Sequence, residues 1–349
     1  MSNQVQWENL LRKLCQAPGP AGMETAVAAV VEEELKELGL SCQRDGLGSL
    51  IVRLSSGHEN APLLMVDAHM DEIGLVVSAV SEDGYLKFAP VGGLDKRILP
   101  GSEVMLLTNP PTPGIICCLP PHVQTAAQMN EFAAVDTMGI DTGLPADEVK
   151  TRVPTGTFGV LAAPMQSLAG GHFSSKALDN RALCAVLVTV LKRLAAEEAP
   201  VDVAAVFSVQ EEAGCRGAGP AAFGLRPDAA IVLDVTYAKA PGLSDEESYP
   251  FGNLTVCLGP FVDRSLSRGL LAKAKELEIP VLEEVYGGST GTNATPVSLV
   301  QTGVPCAVLS VPIRNMHTPV EIVSTADLDK AADLLTAFIK DFPKGGAQK

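Results

Sequence analysis

Apolar and polar positions along this chain follow two different periods. Between residues 24 and 38 the apolar side chains fall at helical spacing (Val27, Val30, Val31, Leu35 and Leu38), and Gly39 follows as a stop signal. A shorter helix is predicted over 7–14, ended by the turn APGPAG at 17–22. Residues 50–54 and 63–66 read as strands. From 174 onward the long units return: a helix over 182–196, strands over 201–209, 229–235 and 254–258, a helix over 266–277, a strand over 307–311 and a last helix over 325–341.

The segment between is different. Residues 73–165 carry short runs of β-formers (LVVSAV, YLKFAP, EVMLLT, GIICCL) broken by clusters such as PVGG and TNPPTPG, with no long helical pattern. That texture predicts a small β-barrel or β-sandwich. The alternating strands and helices on either side predict a mostly parallel sheet covered by helices on both faces. The expected architecture is therefore an α/β domain built from 1–72 and 166–349, with a small all-β domain inserted at 73–165.

Composition narrows this picture. Of the 349 residues 46% are apolar but only 4% aromatic, so Ala, Val and Leu must fill the core. Small aliphatics in short runs suit parallel strands buried on both faces. The net charge of −15, with no basic block, excludes nucleic acid and anionic membrane surfaces as partners. The eight cysteines are scattered through apolar stretches with no CxxC pair, as buried thiols in a reducing compartment would be. The opening MSNQVQWENL lacks the basic and apolar regions of a secretory signal. The longest apolar stretch, at 182–191, is about half the length of a membrane span. A cytoplasmic location is expected.

The chemistry lies in the polar residues that interrupt this pattern. His69 and Asp71 follow the strand at 63–66; Glu211 and Glu212 follow the strand ending at Val209; Asp234 closes the strand at 229–235; and His317 comes soon after the strand at 307–311. Asp179 stands just before a long apolar helix. In open α/β sheets the rim beyond the strands' carboxyl ends is where ligands bind. Two imidazoles and several carboxylates without a thiolate suit zinc, cobalt or manganese. Two cations about 3.5–4 Å apart need a bridging carboxylate and roughly two further ligands each. Asp179 as the bridge, with His69, Asp234, Glu212 and His317 as the others, meets that need and leaves Glu211 free to take a proton. Asp71, two residues from His69, is placed to orient the imidazole through its second ring nitrogen. His58 and His122 read as loop residues and His172 as at most a supporting one. The run GGSTGTNA at 287–294 has no phosphate-loop lysine and reads as a tight loop near the rim.

These residues stand in motifs that together resemble a known family. AHMDEIG at 68–74, KALDNR at 176–181, VQEEAGCRGA at 209–218, LDV at 233–235, TGTNA at 290–294 and IRNMHTPVE at 313–321 are similar to those of the tetrahedral metalloaminopeptidases. That family includes glutamyl and deblocking aminopeptidases and proteins once labelled cellulase M. APGPAGME at 17–24 and GGLDKRILPG at 92–101 extend the likeness over nearly the whole chain. The resemblance implies a zinc-peptidase type of catalytic domain, peptide substrates and a homo-oligomeric, dodecameric shell that the inserted domain helps to build. It assigns His69 and Asp234 to one metal, Glu212 and His317 to the other, Asp179 to both, Glu211 to proton transfer and Asp71 to orienting His69. Two positions depart from the family pattern: Asn293 stands where Asp is usual, removing a charge expected near the site, and Asn315 where an aromatic is usual. Rival readings are a metal-dependent amidase or deacylase acting on small acylated amines, and a non-catalytic metal-binding assembly protein. A glycosidase would leave both histidines unexplained.

Overall fold

The computed structural model describes residues 3–197 and 199–343. Its centre is an eight-stranded sheet. In spatial order the strands are β1 (Ser41–Arg44), β2 (Leu50–Leu54), β12 (Asp202–Ser208), β3 (Leu63–His69), β13 (Ala229–Tyr237), β16 (Cys306–Ile313), β14 (Leu254–Leu258) and β15 (Val281–Val285). β12, β3, β13 and β16 run parallel, whereas β1, β2 and β14 join antiparallel. The parallel expectation thus holds for the middle of the sheet and gives way at its flanks.

The period of two within each apolar run decides which face a side chain serves. In β12, Val203, Ala205 and Phe207 enter one core and Ala204 and Val206 the other. β3, β13 and β16 divide in the same way. The larger core is completed by α1 (Asn3–Gln16), α2 (Thr25–Leu35), α4 (Leu178–Ala195), α6 (Arg264–Glu276) and α8 (Thr325–Lys340). The smaller is covered by α5 (Ala218–Leu225) and α7 (Ala294–Ser298). From Leu178 to Leu191 every residue of α4 except Thr189 is buried, as expected of a helix that is apolar nearly all round.

Six strands of the middle segment close into a barrel in the order β4 (Gly74–Val80), β5 (Leu86–Val91), β8 (Gly139–Asp141), β7 (Thr112–Cys117), β6 (Glu103–Leu106) and β9 (Phe158–Leu161). Its interior is a core of its own, with Leu75, Val77, Leu86, Phe88, Leu106, Ile116 and Ile140 among its members. Closure removes the exposed edges that a sheet this small would otherwise present. A single short helix, α3 (Ala146–Arg152), lies within the segment.

A third sheet joins β10 (Gln166–Leu168), β11 (His172–Ser175) and β17 (Glu321–Ser324), and its register sets Ser175 opposite Glu321. β11 leads directly into the start of α4, so this small sheet fixes how that helix enters the molecule. None of the described helices is long and apolar enough to cross a membrane.

Candidate active site

The parallel strands carry the polar residues to one edge. His69 ends β3 in register with Ser208, the end of β12, and Asp234 lies within β13 opposite Ser310 of β16. Glu211 and Glu212 follow in the loop after β12, and His317 in the turn after β16. Asp179 comes from the first turn of α4, where neither it nor Asn180 has helical backbone angles and the peptide bond between them is cis. One placement differs from expectation. His69 is the last residue of β3 rather than beyond it, because the strand continues through polar residues that interrupt the apolar run.

The two oxygens of Asp179 face different imidazoles. Oδ1 is 3.2 Å from His69 Nε2 and Oδ2 is 3.3 Å from His317 Nε2. Around this carboxylate stand two groups, His69–Asp179–Asp234 and Asp179–Glu212–His317, each offering ligand atoms within 4.8 Å of one another. Asp234 Oδ1 is 3.8 Å from His69 Nε2, and Glu212 Oε1 is 3.3 Å from His317 Nε2. Glu211 Oε2 stands 4.0 Å from His69 Nε2, outside both groups. Asp71 accepts the backbone N–H of Glu211 on one oxygen and that of Glu212 on the other, both at 2.9 Å. Its Oδ1 is also 3.4 Å from His69 Nδ1. The structure brings together all seven residues singled out from the sequence.

Crowded carboxylates and little water shape the electrostatics. Burial pushes Glu212 up to about 7 and raises Glu211 and Asp234 as well. Burial alone would lower His69, but the carboxylates of Asp179 and Asp71 beside its two ring nitrogens outweigh it and hold the ring well above its ordinary value. Hydrogen bonds with Asp179 and Glu212 push His317 up to about 11. Asp179 moves the other way: burial opposes ionisation, but the two imidazoles prevail and keep it a carboxylate. Protons on nitrogen thus fill the role that cations take in a nitrogen- and oxygen-ligated site. Asp179 Oδ1, buried and without a hydrogen-bond partner, fits a bound cation. The donor set is imidazole and carboxylate only, which suits borderline divalent metals.

Several contributors escaped the sequence. Glu321, buried on β17, accepts the backbone N–H of Asp179 on Oε2 and that of His317 on Oε1, both at 2.9 Å. A buried ion cluster behind Asp179 joins Glu72 to Lys176 at 2.7 Å and to Arg181 at 3.4 Å. The rim of the barrel also closes on the site: a β-carbon at Gly93 would lie 2.5 Å from His317 Nδ1, so only glycine allows this approach. The turn run PVGG marked the position in sequence, but its partner in the turn after β16 could not be read there.

The structure gives each of the two departures a setting. Asn293 is buried and donates from Nδ2 to Asp67 Oδ2 at 2.8 Å and to Ser208 Oγ at 3.0 Å. It therefore ties the 287–294 loop to β3 and β12. Asn315 is exposed in a turn with φ of 55°, a conformation that Asn adopts more readily than an aromatic residue. His172 stacks on Phe251 at 4.9 Å, and His58 and His122 are exposed on loops.

Residues 48–334 match the model of the M42 glutamyl aminopeptidases. The chain belongs to this family. A lysyl aminopeptidase of Pyrococcus furiosus is 32% identical over 97% of each chain. Among solved structures, an aminopeptidase of the archaeon Desulfurococcus kamchatkensis superposes with a TM-score of 0.92 at 30% identity, covering 99% of this chain and 98% of its own. The TET1 peptidase of Pyrococcus horikoshii, described as assembling into a tetrahedron or a large octahedral shell, gives 0.85 at 28% identity over 97% and 100%. Members of the M42 family are peptide hydrolases, and the mixed α/β fold around a central sheet is theirs. Membership makes this chain an aminopeptidase and sets aside the reading as a non-catalytic assembly protein.

Proposed function

We propose that this M42 chain removes the N-terminal residue of peptides with two divalent cations. One would be held by His69, Asp179 and Asp234, the other by Asp179, Glu212 and His317. The observation that carries this reading is the division of the Asp179 carboxylate, one oxygen toward each imidazole at 3.2 and 3.3 Å. When bound, such a pair supplies Lewis acidity to the scissile carbonyl and acidifies the attacking water. Zinc, cobalt and manganese all suit the donor set.

The remaining steps belong to the chain's own groups. Glu211 removes the proton from the attacking water and returns it to the departing amine. Its burial and raised pKa favour a base that holds the proton between the two transfers. The Cys215 thiol donates to Glu211 Oε1 at 3.0 Å and leaves Oε2 for that exchange. Asp71 grips the Glu211–Glu212 backbone and the back of the His69 ring, so base and ligand hold their spacing. The substrate's α-ammonium finds carboxylates on the cluster, which restricts cleavage to the chain end.

The catalytic unit in this reading is 1–72 with 166–349, and 73–165 is an inserted barrel that limits access and contributes to a homo-oligomer, a dodecamer by analogy with a solved TET1 structure described as a dodecamer. A cytoplasmic location accords with the run of free thiols. The test is a Glu211→Gln protein assayed on aminoacyl substrates, with its metal content measured alongside. Loss of a general base costs about 100- to 10,000-fold in kcat with the metals retained. A variant that kept its metals and lost less than about tenfold would overturn the role given to Glu211. Chelation must abolish activity, and add-back of zinc, cobalt or manganese must restore it.

A further inference from the structure

Beside the metal-ligating groups opens a cavity of 360 Å³. Thr236 and Tyr286 form part of its wall, and Tyr237, Met316 and the hydroxyl-bearing stretch 289–292 also line it. No Lys or Arg is among the described residues that line it. Asp234 and Thr236 are two apart on β13, so they face the same way, with Thr236 about 7 Å farther along the strand.

Behind this wall lies Glu284, a buried carboxylate that the catalytic scheme does not use. Thr236 Oγ1 donates to its Oε1 at 2.6 Å, Tyr286 Oη to the same oxygen at 2.9 Å, and Thr255 Oγ1 to Oε2 at 2.8 Å. Burial, together with Glu284, raises the Tyr286 phenol, which therefore keeps its proton and remains a donor. Each hydroxyl has one hydrogen and two lone pairs. The hydrogens of Thr236 and Tyr286 are committed to the carboxylate, so the oxygens they present to the cavity can only accept. The wall is thus a set of acceptors backed by a negative charge in a poorly solvated place. An ammonium or guanidinium arriving there gains hydrogen bonds and Coulomb attraction. A carboxylate arriving there finds no donor on Thr236 or Tyr286 and meets repulsion. Met316 offers apolar surface for the methylene stem of a long basic side chain.

We propose that this cavity receives the side chain of the N-terminal residue and that Glu284, acting through Thr236 and Tyr286, selects a cationic one, lysine or arginine. The proposal rests on the aminopeptidase reading and adds the class of residue removed. It runs against the glutamyl label of the family model.

Two measurements on the metal-loaded protein test it separately from that reading. Turnover is measured on lysyl, arginyl, leucyl, methionyl and glutamyl p-nitroanilides. Calorimetry compares free lysine, norleucine and glutamate as ligands. Lysyl and arginyl substrates are expected to exceed leucyl and methionyl at least tenfold in kcat/KM, with glutamyl lowest, and lysine is expected to bind at least tenfold tighter than norleucine. Glu284→Gln, which keeps the size of the side chain, should cut the lysyl-to-leucyl ratio at least tenfold at unchanged metal content and melting temperature. Tyr286→Phe, a milder change that leaves two hydroxyl partners on Glu284, should cut the ratio severalfold and covers the case in which the buried substitution unfolds the protein. A glutamyl or leucyl preference, an unchanged ratio in both variants, or norleucine binding as tightly as lysine overturns the inference while the peptidase reading stands. If no aminoacyl substrate is cleaved, the peptidase reading falls, and the calorimetric comparison still decides what the cavity accepts.

Discussion

Replacing Arg181 by Met removes a guanidinium that is fully buried yet bonded at every edge. It donates to the carbonyls of Leu14 at 2.6 Å, Ala17 at 2.9 Å and Met70, and reaches Glu72 Oε1 at 3.4 Å. The Leu14 carbonyl lies in the last turn of α1, and the residue that would donate to it in a continuing helix is Pro18, which has no N–H. Arg181 therefore supplies the missing helix donor, while its bond to Met70 holds the backbone next to His69. Met fills most of the same volume, and Lys176 still pairs with Glu72 at 2.7 Å, so the loss is confined to the donors. Breaking a buried, hydrogen-bonded charge typically costs about 3–5 kcal/mol. An unfolding entropy of about 2.1 cal/mol/K per residue, taken over 349 residues, gives about 0.7 kcal/mol/K, so a cost of 4 kcal/mol lowers Tm by about 6 °C. Scanning calorimetry of the metal-loaded wild type, Arg181→Met and Arg181→Lys measures this, with Lys falling between the other two because a point charge replaces a fork of donors. An Arg181→Met protein melting within about 1 °C of wild type would refute the assignment of these bonds as a structural link.

Three other outcomes follow from the same geometry. Gly93→Ala pushes a methyl group against His317, so metal analysis should find one ion per chain lost with circular dichroism unchanged; full occupancy would show that the barrel rim does not bear on the site. Glu321→Gln replaces one of two acceptors by a donor facing a backbone N–H, and should weaken metal binding by about 10- to 100-fold in a competition titration. Burial pushes the thiols of Cys15, Cys257 and Cys306 up to about 12, above the roughly 8.5 of an unfolded cysteine, so they favour folding below that lower value and lose this contribution as pH rises toward 12. Ellman's reagent at pH 8 should leave these three unlabelled until guanidinium is added, and Tm should fall as pH climbs above about 9.

Much of this molecule was legible from pattern because its central strands are buried on both faces and its helices carry wide apolar stripes. The same logic explains what was not. β1 and β15 are edge strands with mostly exposed side chains, so no period marked them. α5 and α7 are short and rich in Ala, Gly or Pro, which gives periodicity little to act on. The start of α4 was placed at 182 rather than Leu178 because its first turn is spent on Asp179, Asn180 and Arg181, side chains chosen for the site and not for the helix. The metal-ligating candidates could be read because His and acidic side chains are unusual beside buried strands. The partner of Asn293 was not legible either, because its side chain donates to Asp67, a pairing between positions more than two hundred residues apart.

The same limit applies to Asp71 and Glu321, and comparing them shows how the site is organised. Each is a buried carboxylate that accepts two backbone N–H groups from segments carrying proposed metal ligands: Asp71 from Glu211 and Glu212, Glu321 from Asp179 and His317. Asp71 could be proposed from sequence because it sits two residues from His69. Glu321 could not, since an acidic residue four places after a histidine is ordinary, and one of the N–H groups it holds lies 142 positions away. Side-chain spacing reveals which residues can bind a metal, but it does not reveal which hold the backbone beneath them. A loop fixed by a carboxylate through two main-chain bonds loses little further freedom when a cation binds, and that entropy would otherwise oppose binding. The two carboxylates therefore preform the segments that carry Glu212, Asp179 and His317, the set proposed for one cation. Because each grips main chain rather than a particular side chain, substitutions among these side chains should leave both segments in place, whereas loss of either carboxylate should loosen the segments it holds.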